Sequence, residues 1–388
     1  KKVIDFKNKI FKHSFRNFTS TNEFDLFCNK KSTWLEDYSL FAALRQNFGN
    51  ISWRNWDKLI KLRDPDKLEE MREQLKKEIF YHKFLQFFFF KQWQKVKNYA
   101  QKKGIKIFGD IPIFISFDSA DAWTKPEIFQ FDEDRNPIKV AGVPPDFFSK
   151  TGQLWGNPLY NWSELEKQDF EWWIKRFQAI LELVDIVRID HFRGFAEYWA
   201  IPNGEKTAIN GKWEPAPGKK LFENIQKKMG ELPVIAEDLG IITDDVIELR
   251  DRFNFPGMKI LQFAFDSDLN NPYLPHNYPE NCVVYTGTHD NDTTLGWYKK
   301  LDEKQRKRVD EYLNYETIDI CWQMIETAWK SKADIAIIPM QDLLGLDSST
   351  RMNTPGTSSG NWMWRVRKDQ LNMQIAKKLR TLTRDCGR

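Results

Sequence analysis

The sequence predicts an α/β protein, a (β/α)8 barrel with loop insertions. Short apolar segments alternate with helical ones, four of the apolar segments end in a carboxylate, and 388 residues suffice for one large barrel. An open, doubly wound sheet is the alternative, because it is built from the same βα units. The barrel explains the acidic ends better, since its strands converge with their carboxyl ends on one face.

Six strand–helix units are predicted along the chain. The strands are short and nearly all apolar, as in parallel sheets buried on both faces, and they begin near residues 105, 184, 233, 258, 282 and 334. Helices are predicted over 66–103, 163–183, 219–229, 243–253 and 303–330. Ser163 and Glu166 form a capping box at the start of the second helix. Residues 1–60 show no clear period and are expected to be irregular.

The predicted domain organisation is a single catalytic barrel domain over residues 1–388, incomplete at its N-terminus. A barrel needs eight strands, so about two strands are expected to be missing or hidden before residue 105. Segments 111–165 and 191–218 are expected to be long active-site loops or insertions within this domain, because such connections carry function in α/β folds.

Composition excludes several classes of protein. A net charge of +4 is too small to indicate a nucleic-acid partner. The longest apolar tract, near residues 84–90, is interrupted by Gln86 and is far too short to span a membrane. The four cysteines show neither a disulfide framework nor zinc-ligand spacing, which suits a reducing cytosol. The expected location is therefore cytoplasmic, or a plastid in a photosynthetic eukaryote.

Aromatic residues make up 15% of the chain, with 16 Trp, 11 Tyr and 30 Phe. A large core and a bias toward AT-rich codons account for most of the Phe. Trp is not favoured by such a bias, and flat amphipathic rings suit the C–H faces of sugars. The composition therefore raises the expectation of a glycan-handling protein without identifying one.

Acidic strand ends carry the predicted chemistry. Arg188 lies two residues before Asp190, on the same side of a strand, where it would hold the carboxylate ionised; a structural ion pair is an equal alternative. Glu237 follows an apolar strand, where a raised pKa suits a general acid. No second His or Cys is spaced to make the His289–Asp290 pair a metal site. Three such carboxylates meet the needs of glycoside chemistry.

Several longer motifs extend over residues 34–370. They are Trp34–Tyr38, Gly109–Pro112, Asp118–Asp121, Ala141–Asp146, Gly152–Pro158, Arg188–Gly194, Met352–Thr357 and Gly360–Arg365. In these motifs the chain resembles the amylomaltases, also called disproportionating enzymes, the 4-alpha-glucanotransferases of glycoside hydrolase family 77. The runs GQLWGNP and RIDHFRG carry the resemblance most specifically.

The resemblance implies a role for each predicted catalytic residue. Asp190 would be the nucleophile, Glu237 the general acid/base and Asp290 the transition-state stabiliser. The implied reaction is a retaining exchange of α-1,4 bonds through a covalent glucosyl-enzyme, with α-1,4-glucans as donors and a glucan or glucose as acceptor. It needs no metal and no organic cofactor, and it involves neither nucleic acid nor a membrane.

The resemblance also implies a set of sugar-binding residues: Arg188, His289, Asp110, Gln153, Trp155, Asn361 and Trp362. Asp110 would bind a sugar in the donor subsite. Gln153 and Trp155 would lie in a loop that covers the cleft, with Asn361 and Trp362 near the loop opposite. Family members usually carry further residues in front, holding the first barrel strands, so the activity of this chain alone is open. An α-amylase-like hydrolase and an inactive glucan-binding remnant are the alternatives.

Overall fold

A computed structural model describes residues 2–145, 149–313 and 319–388. The chain divides into two compact units, residues 1–188 with 194–233, and residues 189–193 with 234–388. Both units combine helices with strands, so the predicted α/β class is confirmed. Within the described residues, no helix is both long and apolar enough to cross a membrane.

The first unit begins with five helices: α1 (Lys2–Arg16), α2 (Asn22–Asn47), α3 (Lys58–Lys61), α4 (Pro65–Gln74) and α5 (Lys76–Lys102). The prediction of an irregular segment over 1–60 is therefore wrong. Helix α2 packs along α5 and also against residues 120–124, and it buries side chains around much of its circumference. Because burial is not confined to one stripe, the helical period disappears from its sequence.

The rest of the first unit alternates between strands and helices: β1 (Phe108–Pro112), α6 (Ala120–Thr124), β2 (Lys139–Val143), β3 (Gln153–Pro158), α7 (Trp162–Lys167), α8 (Glu171–Leu183), β4 (Ile186–Asp190), β5 (Glu197–Pro202), β6 (Lys212–Pro215) and α9 (Gly218–Met229). Strand β4 ends in the second unit. Strands β3, β2, β5 and β6 form a four-stranded sheet in that order, with antiparallel neighbours. The segments predicted as long loops thus contain a folded sheet.

Two predicted helices of this unit are each divided in the structure. Residues 66–103 form α4 and α5, which meet at Leu75. Residues 163–183 form α7 and α8, separated where Asp169 and Phe170 adopt left-handed backbone angles, with φ of 50° and 54°. Asn161, rather than Ser163, caps α7 by accepting a hydrogen bond from Glu164 N at 3.3 Å, so the predicted capping box is wrong.

The second unit contains the remaining elements: β7 (Val234–Ala236), α10 (Asp244–Arg252), β8 (Gly257–Ile260), β9 (Cys282–Tyr285), α11 (Thr294–Lys300), α12 (Glu303–Leu313), α13 (Ile320–Lys330), β10 (Ile335–Ile337), α14 (Met340–Leu343) and α15 (Met373–Asp385). Strands β8, β9 and β10 are parallel, with Met258 and Ile335 flanking Val283 in register. Ala236 N donates to Pro256 O at 2.9 Å, which places β7 beside the start of β8.

These four strands lie where the sequence predicts strands. The predicted helix over 303–330 differs, because its described residues form α12 and α13, separate helices on either side of residues 314–318. The pairings described give two three-stranded sheets and one four-stranded sheet. The α/β class follows from them, whereas a closed eight-stranded barrel stays a prediction.

Candidate active site

The ends of β4 and β7 bring two predicted catalytic residues to neighbouring positions. Asp190 is the last residue of β4, and Glu237 follows directly after β7. Glu237 N donates to Ile189 O at 3.0 Å, and Phe192 N donates to Glu237 O at 3.1 Å. These main-chain hydrogen bonds join the segments that carry Asp190 and Glu237 at the ends of their strands.

The carboxylate of Glu237 is oriented by the main chain. Its Oε2 accepts a hydrogen bond from His191 N at 2.6 Å, and its Oε1 accepts one from Leu239 N at 3.1 Å. One donor is the residue that follows Asp190 in the chain. The position of the Glu237 carboxylate is therefore tied directly to the turn that carries Asp190.

His191 contributes its backbone to this arrangement. Its φ is 53°, a left-handed conformation in which histidine is more frequent than most residues, and in this conformation its N–H reaches Glu237. Burial, with the nearby charge of Arg193, lowers the pKa of the His191 imidazole to about 4. The ring is therefore neutral at pH 7, and no cation is added beside the carboxylates.

Asp290 lies beyond β9 and is held by residues far along the chain. Its Oδ1 accepts from Asn353 Nδ2 at 2.5 Å, and its carbonyl oxygen accepts from Arg351 Nη2 at 2.5 Å. His289 Nε2 lies 3.4 Å from Asp290 Oδ2. The ring of Trp362 lies against the His289 ring, with a centroid distance of 5.2 Å. His289, Asp290 and Trp362, which the sequence predicts as site residues, are thus brought together.

A buried carboxylate anchors the segment on which His289 and Asp290 lie. Asp342 accepts hydrogen bonds from Thr286 Oγ1 at 2.6 Å, and from Thr294 N and Oγ1, both at 2.7 Å. Burial raises the pKa of Asp342 above its ordinary value, and these hydrogen bonds oppose that rise. Both ends of segment 286–294 are therefore fixed to one side chain.

Asp110 and Arg188 form an ion pair within the first unit, with Arg188 Nη1 2.5 Å from Asp110 Oδ2. The sequence predicts Arg188 as a partner of Asp190, which stays a prediction; the contact described for Arg188 is the one with Asp110. Gly109 fits this strand because a Cβ there would lie 2.5 Å from Val184 Cγ1. The ion pair fixes two of the predicted sugar-binding residues against each other.

Gln153 and Trp155 also lie together, but on a strand rather than in a free loop. Both belong to β3, and Trp155 Nε1 donates to Gln153 Oε1 at 3.1 Å. Trp155 keeps 37% of its surface exposed. The expected loop is wrong in this respect, because pairing with β2 gives these residues a strand conformation.

The side chain of Asn361 forms hydrogen bonds within its own segment of the chain. Its Oδ1 accepts from Thr354 N at 3.0 Å, and its amide donates to Thr357 O at 3.2 Å. Trp362, the next residue, has a φ of 59° and is 57% exposed. These contacts shape the segment that presents Trp362, and a direct sugar contact by Asn361 stays a prediction.

Most of the tryptophans are buried or half-buried. Trp53, Trp123 and Trp173 are fully buried, while Trp155, Trp213 and Trp362 are prominently exposed. A role in binding sugar faces can therefore apply to only part of the tryptophan content. Of the predicted motif residues, Asp146 lies outside the described part of the chain.

The four cysteines are unpaired thiols, and burial raises the pKa of Cys282 to about 11 and that of Cys321 to about 12. In the described ranges, no group of three or more His, Cys, Asp or Glu side chains is placed to hold a metal ion.

Arg351 and Asn353 are site residues that sequence reasoning missed. Both contact Asp290 directly. The run Met352–Thr357 is one of the motifs of the sequence, but the sequence alone indicates no role for its members. An amide or guanidinium acquires a role only through its partner, and the partner here lies about sixty positions away in the chain.

An α/β fold that places two carboxylates, Asp190 and Glu237, at neighbouring strand ends is compatible with an enzyme acting on glycosidic bonds, whereas Asp110 lies within β1 and Asp290 five residues beyond β9. Residues 1–372 match the family model described as 4-alpha-glucanotransferase. A 4-alpha-glucanotransferase from Synechocystis sp. is 51% identical over all of this chain and 78% of its own length. One from Clostridium butyricum is 48% identical over all of this chain and 80% of its own length.

A solved structure agrees with these relatives. The amylomaltase from Streptococcus agalactiae in complex with acarbose superposes with a TM-score of 0.96 at 40% identity, over 99% of this chain and 79% of that one. The chain belongs to glycoside hydrolase family 77, the 4-alpha-glucanotransferases. The predicted family, enzyme class and 4-alpha-glucanotransferase function are confirmed.

Proposed function

We propose that this chain transfers a segment of an α-1,4-glucan to the 4-OH of a second glucan or of glucose, by a retaining double displacement. The observation that carries the proposal is the joined pair of strand ends, where the segments of Asp190 and Glu237 are hydrogen-bonded and the Glu237 carboxylate is fixed by the turn after Asp190. Retaining chemistry needs two carboxyl groups about 5–5.5 Å apart, one on each side of the scissile bond.

The first step is the formation of a covalent intermediate. An Asp190 oxygen attacks the anomeric carbon while protonated Glu237 gives its proton to the departing glycosidic oxygen, so the C–O bond breaks and a glucosyl ester forms. In the second step ionised Glu237 removes the proton from an incoming 4-OH. That oxygen displaces Asp190 and remakes the α-1,4 bond with retained configuration.

Asp290 binds the sugar and stabilises the oxocarbenium-like transition state. Its carboxylate is held by Asn353, which leaves the side chain little freedom to turn away from the sugar. His289 binds hydroxyl groups beside it, with Trp362 against the imidazole ring. A fixed carboxylate acts more strongly than a mobile one, because no reorganisation is needed as positive charge develops.

Further residues bind the donor chain and favour transfer over hydrolysis. Asp110 binds a donor sugar, with Arg188 holding its carboxylate. Gln153 and Trp155 on β3, together with Asn361, orient the glucan and help to exclude water from the ester. The acarbose bound by the related amylomaltase supports an α-glucan as the ligand class.

We further propose that residues 1–388 belong to one catalytic domain of the (β/α)8-barrel type, with 111–165 and 191–218 as insertions in it. The proposed location is cytoplasmic. The relative from Solanum tuberosum is named as chloroplastic/amyloplastic, which makes a plastid the alternative. The chemistry uses carboxylates alone, so we propose that it requires neither a metal nor an organic cofactor.

Incubation with maltotriose tests the proposal. Transfer yields glucose together with glucans longer than maltotriose, whereas an α-amylase-like hydrolase yields glucose and maltose alone. Asp190→Asn should abolish both kinds of product while leaving maltotriose binding intact. Glucose and maltose without longer products would establish hydrolysis instead, and a chain that binds maltotriose but releases nothing would be a glucan-binding remnant.

A further inference from the structure

Asp238 is a buried carboxylate immediately beside the proposed acid/base, and the reaction described above leaves it without a role. It is 8% exposed, and it lies in the turn that leads out of β7 toward α10. Burying a carboxylate is costly unless its charge is paired and its oxygens accept hydrogen bonds. The contacts of Asp238 therefore indicate what a charge at this position holds in place.

The two carboxylate oxygens of Asp238 accept hydrogen bonds from two different segments. Oδ1 accepts from Met258 N of β8 at 2.7 Å, and Oδ2 accepts from Arg250 Nη1 of α10 at 2.6 Å. Arg250 is itself mostly buried, with 17% of its side chain exposed. A single side chain thus fastens the turn after β7 to the neighbouring strand and to the following helix.

Gly257, the first residue of β8, makes room for this ion pair. A Cβ on Gly257 would lie 2.4 Å from Asp238 Oδ2 and 3.0 Å from Arg250 Nη1. Any other residue at this position would therefore have to displace the paired groups. The close approach of β8 is a second observation, besides the hydrogen bonds, that the position of the Asp238 carboxylate is set by its surroundings.

The same turn provides one of the two main-chain donors to the Glu237 carboxylate. Leu239 N, which donates to Glu237 Oε1 at 3.1 Å, belongs to the peptide unit that joins Asp238 to Leu239. Because a peptide unit is planar, fixing its Asp238 end limits the directions in which this N–H can point. Farther along, Arg193 Nη1 donates to Ile241 O at 2.5 Å. The turn is thus held on both sides of Leu239.

We propose that Asp238 is a positioning residue for the acid/base Glu237. Held by Arg250 and by Met258 N, it keeps Leu239 N directed at Glu237 Oε1, so the carboxyl group stays aligned with the glycosidic oxygen that it protonates. Asp238 itself exchanges no proton with the substrate. The assignment rests on the proposed function, which makes Glu237 the acid/base, and it adds a residue that acts on the reaction only through Glu237.

Donors that differ in their leaving group test this assignment, with Asp238→Asn as the variant. The amide can still accept from Met258 N, but its charge no longer pairs with Arg250. We expect kcat for maltotriose disproportionation to fall about fivefold, while KM stays within about twofold. The first turnover of a glucosyl fluoride, measured by fluoride release, should also stay within about twofold, because the departure of fluoride needs little acid assistance.

Asp251→Asn is the matched control. It removes the other carboxylate partner of Arg250, which lies 2.7 Å from the guanidinium and is 58% exposed, without touching the turn after β7. Both reactions should proceed in this variant at the rates of the unsubstituted protein. Loss of a charge beside Arg250 is therefore separated from loss of the charge that holds the turn.

Two further variants separate positioning from a merely structural role. When Asp238→Asn is added to Glu237→Gln, the rate of maltotriose disproportionation should fall no further, because the effects of residues that act through one group are not additive. Gly257→Ala keeps every charge but crowds the Asp238 carboxylate, and it should show the same dependence on the leaving group. This second route tests the assignment even where Asp238→Asn does not fold.

Equal slowing of the maltotriose and glucosyl fluoride reactions in Asp238→Asn would overturn the assignment, since it would indicate a general loss of structure. A further fivefold loss in the Glu237→Gln background would overturn it as well, as would an equal loss in Asp251→Asn. Failure of the proposed function is distinguishable, because the unsubstituted protein would then form no longer glucans from maltotriose.

Discussion

Glu237 and Asp290 follow strands of the same unit, but they are held in different ways. Both oxygens of the Glu237 carboxylate accept main-chain N–H groups, from His191 and Leu239. The Asp290 carboxylate instead accepts from the side chain of Asn353, and the His289 ring lies beside it. The Glu237 carboxylate is therefore fixed by the backbone of two adjacent turns, whereas the Asp290 carboxylate depends on particular side chains.

Because of this difference, Glu237 and Asp290 should tolerate substitutions of neighbouring residues to different degrees. Main-chain donors survive most substitutions around Glu237, so its placement should be robust as long as the turns keep their shape. The placement of Asp290 depends on one amide and one arginine, which a single substitution removes. We expect changes of the acid itself to be severe at Glu237, and changes of neighbouring side chains to be felt more at Asp290.

Of the changes that distinguish Glu237 from Asp290, Glu237→Gln is expected to have the largest effect. The amide cannot exchange protons, and one of its ends becomes an NH2 facing a main-chain N–H that needs an acceptor. Maltotriose disproportionation should fall by about 10²–10⁴-fold. Glu231→Gln, which changes an exposed carboxyl ahead of β7, should keep full activity. Comparable rates in the two variants would show that Glu237 is not the acid/base.

The stability of the protein should depend on pH through His191, in the turn that holds Glu237. The pKa of His191 is lowered to about 4, so the unfolded chain binds this proton at a higher pH than the folded protein does. The free energy of unfolding should therefore fall as pH drops from about 6.5 to about 4, by at most about 3 kcal/mol. Because His191 is only partly buried, the decrease in the free energy of unfolding should be smaller than this upper limit.

Urea denaturation at pH 7 and pH 4.5 measures this change. His191→Asn removes the titrating ring while keeping a residue that tolerates the left-handed backbone, so its loss of stability between these pH values should be smaller. His13→Asn, in the exposed part of α1, should behave like the unsubstituted protein. An identical loss in all three proteins would contradict the assignment of the pH dependence to His191.

The smallest of these effects is expected at Asp290. Asn353→Ala removes the amide that donates to Asp290 and should lower kcat by about tenfold, the equivalent of ~1.5 kcal/mol. The variant should retain the melting temperature of the unsubstituted protein to within a few degrees. Asn98→Ala, which removes an exposed amide in contact with Gln94, should leave kcat unchanged. Equal kcat values in the two variants would show that Asp290 needs no such support.

The strands of the second unit were predictable because their sequences carry one dominant signal. Residues 282–285 are all buried, and a short apolar run followed by polar residues indicates such a strand directly. The same pattern predicts the acids at the end of β4, directly after β7 and beyond β9. Local sequence was sufficient for β9 because all four of its residues are buried, so no alternation between a buried and an exposed face has to be recognised.

Other features depend on contacts that local sequence does not reveal. Helix α2 buries residues on several sides against α5 and α6, which hides its period. The break between α7 and α8 occurs at Asp169 and Phe170, neither of which is a glycine, although both have positive φ. Strands β2 and β5 pair across about sixty residues. Such pairings are decided by tertiary packing rather than by propensity.

In the proposed reaction Asp190 forms the covalent intermediate while Glu237 serves as acid and base. Treating Glu237→Gln with a glucosyl fluoride tests these two roles, because the departure of fluoride needs little acid assistance. Peptide mass spectrometry should then find one glucosyl unit on Asp190, and none when Asp190→Asn is added. A glucosyl group on another residue, or no adduct although the fluoride is consumed, would show that Asp190 is not the nucleophile.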